Sequence, residues 1–186
     1  MITAIEHTTV HLHLVEQCKT GDEQAFKELY TLYAKQMFNV SMRILNNRNE
    51  AEDVLQESFV AAFRGIRSFE GKSPFGSWLK RIVINKSLDV LKKQRHIFLS
   101  VDGLDIPEEE TFEDDRLTFE TETLREAISR LPDGYRVILT LYLFEDYSHK
   151  TIAEKLGISE STSKSQYLRG RKKLCTYLKK ENKNGR

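Results

Sequence analysis

A stretch near the C-terminus, residues 147–174, predicts two helices joined by a tight turn. Ser148 can cap the first helix, because its hydroxyl accepts a hydrogen bond from a free backbone N–H of the first turn. Gly157 supplies the left-handed conformation that ends this helix, and Ser159 can cap the second. The apolar residues of the first helix share one face: Ile152, Ala153 and Leu156. The pattern is typical of a helix-turn-helix, whose second helix enters the DNA major groove.

The second helix of this stretch is strongly basic. Between Lys164 and Lys173 there are five cations and no acid. Its predicted inner face is apolar and consists of Tyr167, Leu174 and Leu178. Basic runs are often no more than solvated helix surfaces, which is the alternative interpretation. Two capped helices around a glycine turn, together with the positive charge, favour DNA binding.

Charge divides the 186 residues into three segments. Residues 1–96 carry 14 basic and 11 acidic side chains, residues 97–122 carry 1 and 10, and residues 123–186 carry 14 and 7. The acidic segment has no apolar periodicity and repels itself, so it is predicted to be an extended, flexible linker. We therefore expect an all-α protein with two small helical domains, 1–96 and 123–186, of which the second contains the helix-turn-helix.

The N-terminal segment predicts four helices. The first covers residues 9–20, and Asp22 caps a long second helix that stops near residue 46. Asn49 and Glu52 resemble a capping box that opens the third helix. The fourth runs over 74–95, where proline follows serine at the helix start.

The loop before the fourth helix, residues 68–77, is rich in glycine, serine and aromatic residues. Aromatic rings next to basic helix residues suit the capture of an unstacked base, because bases stack on rings while cations hold phosphates. Phe69 and Trp78 fit this role and fit core packing equally well, although the helical phase of Trp78 favours the core. Asn85 can hydrogen-bond a base edge.

The third helix presents an acidic and polar face that contains Asp53, Gln56 and Glu57. An acidic patch on a basic domain is usually a solvated surface. A docking surface for another protein is the alternative, and composition leaves both open.

Other features exclude several classes of protein. Cys18 and Cys175 are too few for a disulfide framework and match no metal-ligand spacing, which suits a reducing cytoplasm. His7, His11 and His13 lack a further ligand at suitable spacing. We expect no membrane insertion, because no window approaches the ~18 apolar residues of a membrane span. Without a phosphate-binding glycine loop or a nucleophile elbow, we expect no catalytic site, metal or cofactor.

Four motifs in this order give the chain a resemblance to the extracytoplasmic-function sigma factors of bacterial RNA polymerase. These stretches carry the resemblance: 53–59, 68–85, 131–136, and Thr162 to Ser165 with Arg169 to Arg171. The sequence of residues 161–167 is similar to that of the Bacteroidetes branch of this family. The chain departs from the family pattern at Ser163, where many members have valine, and at Gln166, where many have arginine.

The resemblance implies three surfaces. The core-polymerase surface consists of Asp53, Gln56 and Glu57. The surface that recognises and melts the −10 element consists of Phe69, Ser73, Phe75, Lys80, Arg81, Ile82, Asn85 and Lys86. The −35 surface consists of Thr162, Lys164, Ser165, Leu168, Arg169, Arg171 and Lys172.

The resemblance also implies partners: core RNA polymerase, promoter DNA and a membrane-anchored anti-sigma factor. The implied function is to direct core polymerase to promoters and to initiate transcription there, in the cytoplasm. The alternative is a helix-turn-helix regulator that does not join the polymerase. Such a regulator would need a dimerisation helix or a sensor domain, and the sequence offers neither.

Overall fold

The computed structural model describes residues 4–93 and 121–184, with side chains for 12–93 and 123–179. All regular secondary structure in these ranges is helical, as predicted. The chain forms two compact units, Met1–Val90 and Leu91–Arg186. The helices are α1 (Ala4–Lys19), α2 (Glu23–Leu45), α3 (Arg48–Gly65), a 3₁₀ turn (Ile66–Ser68), α4 (Phe75–Lys93), α5 (Thr121–Ser129), α6 (Asp133–Leu143), α7 (His149–Leu156) and α8 (Glu160–Asn184).

Capping residues mark where the helices of the first unit begin and end. The carboxylate of Asp22 accepts hydrogen bonds from two backbone N–H groups of the first turn of α2, which confirms the predicted cap. Asn46 ends α2 in the left-handed conformation, with φ 53°. The predicted capping box at Asn49 is wrong, because Asn47 caps α3 through its side-chain oxygen. Helix α1 begins five residues earlier than predicted, at Ala4.

The core of the first unit lies between α2, α3 and α4. Leu29, Met37 and Ile44 from α2 are fully buried. They share this core with Val54 and Phe59 of α3. Helix α4 contributes Leu79, Val83, Ile84 and Leu88. This packing holds the loop before α4 against the body of the unit.

The second unit packs α5, α6 and α7 against α8. Its main apolar cluster contains Ala127, Ile128, Leu131, Tyr135, Leu139, Leu174 and Leu178. Helix α5 begins at Thr121, inside the predicted linker 97–122, and residues 97–120 of that linker lie outside the described residues. In the described part of the chain, no helix is long and apolar enough to cross a membrane.

Candidate nucleic-acid interface

The helix-turn-helix forms with the predicted caps. The hydroxyl of Ser148 accepts a hydrogen bond from the backbone N–H of Thr151 at 3.2 Å. Gly157 ends α7 with φ 70°, a left-handed conformation that glycine adopts without strain. The hydroxyl of Ser159 accepts from the N–H of Thr162 at 3.0 Å and starts α8. The turn between α7 and α8 therefore has a fixed local geometry.

One side of α8 is buried and the other faces solvent. The buried side contains Ser163, Gln166, Gly170, Leu174 and Leu178, of which sequence periodicity identified only the two leucines. The predicted −35 surface lies on the remaining faces. Lys164, Leu168 and Lys172 are exposed, and Thr162, Ser165, Arg169 and Arg171 are half-buried. All seven residues thus remain at least partly accessible to a ligand.

Gly170 permits the close approach of α8 to α6. A Cβ atom at this position would lie 3.0 Å from Cβ of Tyr135 and 3.1 Å from Cδ1 of Leu139. Both distances are shorter than ordinary van der Waals contacts. Gly170 therefore lets α8, which carries Arg169 and Arg171, pack closely against α6.

Lys164 and Glu160 form an ion pair one helical turn apart, with 2.7 Å between Nζ and Oε1. The hydrogen bond and positive charge of Lys164 lower the pKa of the Glu160 carboxyl. Both side chains are largely exposed, so water screens the pair. The ammonium of Lys164 can exchange this partner for a phosphate or a base edge at small energetic expense.

In the first unit, the loop before α4 folds over an aromatic cluster. The cluster consists of Tyr33, Phe69, Phe75 and Trp78, with ring centroids 5.2 Å apart for Phe69 and Trp78 and 5.5 Å apart for Tyr33 and Phe75. Phe69 is 4% exposed and Phe75 2%. In this conformation both rings pack in the core, and Trp78 is half-buried beside them. Their contact with DNA stays a prediction.

Gly76 fits tightly inside this cluster. A Cβ atom on Gly76 would lie 2.7 Å from Cε1 of Tyr33, too close for a relaxed contact. Burial raises the pKa of the Tyr33 phenol, and a backbone hydrogen bond with Gly76 acts in the opposite direction. The glycine therefore sets the distance between α2 and the start of α4.

The other members of the predicted −10 surface lie along α4 and the loop. Arg81 and Asn85 are exposed. The half-buried members are Ser73, Lys80, Ile82 and Lys86. Lys86 pairs with Glu57 of α3, with 3.0 Å between Nζ and Oε2. The structure thus joins a predicted −10 residue to a predicted core-polymerase residue.

The predicted core-polymerase surface is one accessible strip of α3. Asp53, Gln56 and Glu57 are all exposed, at spacings that keep them on one side of the helix. The opposite side buries Val54, Leu55, Phe59 and Ala62. Polar substitutions on this strip can therefore change binding without disturbing the core.

Within the described residues there is no group of three potential metal ligands. His7 and His11 are not among the residues whose side chains the structure describes. Cys18 is a buried thiol whose pKa rises to about 11, chiefly because burial disfavours the thiolate. It is therefore inert as a nucleophile near neutral pH.

Comparison with known proteins identifies the family. The Sigma-70 region 2 family matches residues 29–97, and the Sigma-70 region 4 family matches residues 121–174. The chain is 30% identical over 177 residues to the ECF RNA polymerase sigma factor SigW of Bacillus subtilis, covering 89% of this chain and 95% of that protein. This chain is an extracytoplasmic-function (ECF) sigma factor. It is also 32% identical over 173 residues to the ECF RNA polymerase sigma-E factor of Haemophilus influenzae, covering 87% and 91%.

Solved structures share the fold of this sigma factor. The sigma factor RpoE in complex with the anti-sigma factor NepR from Bartonella quintana has a TM-score of 0.52 at 23% identity, covering 83% of this chain and 96% of that one. CnrH in complex with the cytosolic domain of CnrY has a TM-score of 0.51 at 23% identity, covering 89% and 95%. The region 2 match contains the aromatic cluster and α4, and the region 4 match contains the helix-turn-helix.

Proposed function

We propose that this ECF sigma factor recognises the −35 element with α8 and melts the −10 element with loop 68–77 and α4, while α3 docks on core RNA polymerase. The observation that carries the proposal is the exposed basic side of α8 on a capped helix-turn-helix. In the proposed division of the chain, residues 1–96 dock and melt, 97–122 link, and 123–186 recognise the −35 element. We assign no catalytic residue to the chain.

Recognition of the −35 element is assigned to two kinds of contact. Lysine and arginine side chains neutralise phosphates without regard to sequence, which supplies much of the affinity. Base discrimination comes from side chains that reach base edges in the major groove, and a guanidinium can bind guanine through two hydrogen bonds. Arg169 and Lys164 are therefore the proposed main determinants, with Thr162 and Ser165 as smaller polar contacts.

Melting of the −10 element is assigned first to the outward residues of α4. The Asn85 amide can donate to and accept from a base edge, and Arg81 is exposed four residues earlier on the same helix. Phe69 and Phe75 reach a base only if the aromatic cluster opens. A flipped base that replaced one ring in this cluster would regain stacking, which offsets part of the unstacking cost.

Docking is assigned to Asp53, Gln56 and Glu57, because all three are exposed on a helix whose other side is fixed in the core. An anti-sigma factor, anchored in the membrane, is the proposed antagonist. The sigma factor RpoE, which has a similar fold, has been solved in complex with the anti-sigma factor NepR. We propose that the protein acts in the cytoplasm together with the polymerase. We also propose that it belongs to a Bacteroidetes-like branch of the family, because of the sequence of residues 161–167.

Reconstituted transcription tests the proposal. Core polymerase, this protein and the DNA upstream of its own operon should yield a defined transcript that core polymerase alone does not produce. Gel shifts on the same DNA should show tight binding only when core polymerase is present. Tight binding by the isolated chain without any gain in transcription would instead identify a regulator that does not join the polymerase.

A further inference from the structure

The start of α8 is joined to α6 and α7 by a small polar and aromatic group, which we call the His149 cluster. It consists of His149, Ser163, Tyr142 and Tyr167. Nδ1 of His149 and Oγ of Ser163 share a hydrogen bond at 2.9 Å. The imidazole stacks on the Tyr142 ring, with centroids 4.5 Å apart and 15° between the planes. The Tyr167 ring meets the imidazole edge-on at 5.5 Å.

This contact differs in kind from the apolar contacts that α7 makes in the helix-turn-helix core. Ile152, Ala153 and Leu156 bury apolar side chains, whose mutual attraction has no preferred direction. Ser163 buries a hydroxyl completely, with 0% exposure. A buried hydroxyl destabilises the fold unless it is hydrogen-bonded, and the bond requires a defined distance and angle. Ser163 therefore restricts the rotation of α8 about its axis more tightly than an apolar residue would.

The position of this bond links it to the −35 surface. Ser163 lies between Thr162 and Lys164 and directly precedes the Lys164–Ser165 pair. Successive residues of an α-helix are about 100° apart around the axis. A bond that fixes Ser163 toward α7 thereby fixes the directions in which Thr162, Lys164 and Ser165 project.

The surroundings of the imidazole favour its neutral form. Burial lowers the pKa of His149, and the nearby charge of Lys164 lowers it further, while Glu160 opposes the shift. A neutral imidazole has one donor and one acceptor nitrogen, and a serine hydroxyl can match either at Nδ1. The His149–Ser163 bond is thus formed at neutral pH in either tautomer.

We infer that His149 is a positioning residue for −35 recognition: its hydrogen bond to Ser163 and its ring contacts with Tyr142 and Tyr167 set the orientation of the first turns of α8, and so the base preference of the −35 surface. This inference rests on the proposed function. His149 itself touches no DNA in this scheme.

The test uses holoenzyme assembled from core polymerase and the full chain, with a promoter library randomised in the −35 element. Transcript abundance for each −35 sequence gives a discrimination ratio between the best sequence and the median. His149→Phe keeps a ring for stacking and removes the hydrogen bond. Ser163→Ala removes the bond from the other side. Each should lower the discrimination ratio about three- to ten-fold, because a rotated first turn of α8 weakens a base contact whose complete loss would lower the ratio further.

Two further variants separate positioning from stability. His149→Asn keeps a polar atom two bonds from Cβ, where Nδ1 lies, but loses the ring contacts, so it should retain more discrimination than His149→Phe and less than the parent. Leu178→Val loosens the buried C-terminal part of α8 and should lower thermal stability without changing the ratio. A smaller folded fraction reduces every transcript equally, whereas a misplaced helix changes their relative abundance.

The results distinguish the two proposals. If the parent holoenzyme transcribes all −35 sequences alike, the proposed role of α8 fails, whatever His149 does. If the parent discriminates between −35 sequences, and His149→Phe and Ser163→Ala both keep the parent's discrimination ratio, the positioning role is overturned. The double variant should lose no more than the larger single loss, because both changes remove one bond. Additive losses would show that the two residues act separately and would also overturn the inference.

Discussion

The two units present their predicted DNA-binding residues in opposite ways. In the second unit, Leu168 is 50% exposed and the Lys164 side chain 58%, on the second helix of a helix-turn-helix in which each helix begins at a serine cap. In the first unit, Phe69 and Phe75 lie inside the aromatic cluster. The predicted −35 surface is therefore already accessible in the free protein, whereas the predicted −10 surface could use Phe69 and Phe75 only if these rings left the core.

This difference has a physical origin. Duplex recognition needs a rigid array of cations and polar groups that matches a groove, and a capped helix supplies it. Capture of an unpaired base needs an apolar site that stays closed to water until the base arrives. A cluster of rings that stack on one another in the absence of a base meets this need, because a base can replace a ring–ring contact with a ring–base contact.

The largest expected effect concerns docking by the first unit. Asp53→Lys with Glu57→Lys should abolish association with core polymerase, because the exposed strip of α3 then carries the opposite charge. Exposed charge changes typically alter stability by no more than about 0.5 kcal/mol, so the helical content should persist. Sedimentation or pull-down with core polymerase measures binding, and circular dichroism measures folding.

The matched control changes net charge equally at two exposed acids of α2, Glu23→Lys with Glu28→Lys. It should retain core binding. Since Glu57 also pairs with Lys86, the variants Glu57→Gln and Lys86→Gln separate docking from loss of that ion pair. If the variant with both Asp53→Lys and Glu57→Lys bound core polymerase as the parent does, this strip would be an ordinary solvated surface.

In the second unit, Arg169→Ala and Lys164→Ala should each weaken recognition of the −35 element by about 1–3 kcal/mol if the side chain contacts a base. Arg169→Ala should relax specificity more, because a guanidinium can bind guanine through two hydrogen bonds. Promoter competition assays with holoenzyme measure both effects. Lys173→Ala removes an exposed cation outside the −35 surface and should reduce affinity equally for all sequences. An Arg169→Ala holoenzyme with the parent's sequence preference would refute the assignment.

Packing of the aromatic cluster is tested by Gly76→Ala. The added methyl group would meet the Tyr33 ring, so this variant should be destabilised by about 1–2 kcal/mol, within the range typical of over-packing. Thermal or denaturant unfolding provides the measurement. Gly65→Ala is the control, since the nearest atom to its added Cβ is Oγ of Ser68 at 4.0 Å. Equal stability of both variants would mean that the cluster is looser than the structure shows.

Much of the fold could be predicted from the sequence. Caps such as Asp22 and Ser148 act through local hydrogen bonds, so their positions follow from residue type and the helix that comes after them. Asn47 and Asn49 are both good caps two residues apart, so residue type did not choose between them, and in the structure Asn47 caps α3. Ser163 and Gln166 escaped prediction because polar residues are mostly exposed, and their burial depends on partners from other helices.

The two predicted DNA-binding surfaces also differ in how much of their structure could be predicted from the sequence. Helical periodicity separates inward from outward residues, so the accessibility of Lys164 and Leu168 could be anticipated. Loop 68–77 has no such period, and an aromatic residue in it suits both a core and a base-binding role. Only the contacts with Tyr33 and Trp78 show that Phe69 and Phe75 are packed inside.

Strand opening by an Asn85→Ala holoenzyme tests the division of labour between the units most directly. Permanganate footprinting and transcription are measured on a duplex promoter and on the same promoter with a mismatched bubble at the −10 element. Asn39→Ala, an exposed asparagine on α2, is the control and should behave as the parent. The account predicts normal closed complexes for Asn85→Ala, reduced opening on duplex DNA, and rescue on the bubble, where the unpairing cost of a few kcal/mol is already met. Equal defects on both templates would contradict it and assign Asn85 to folding or general affinity.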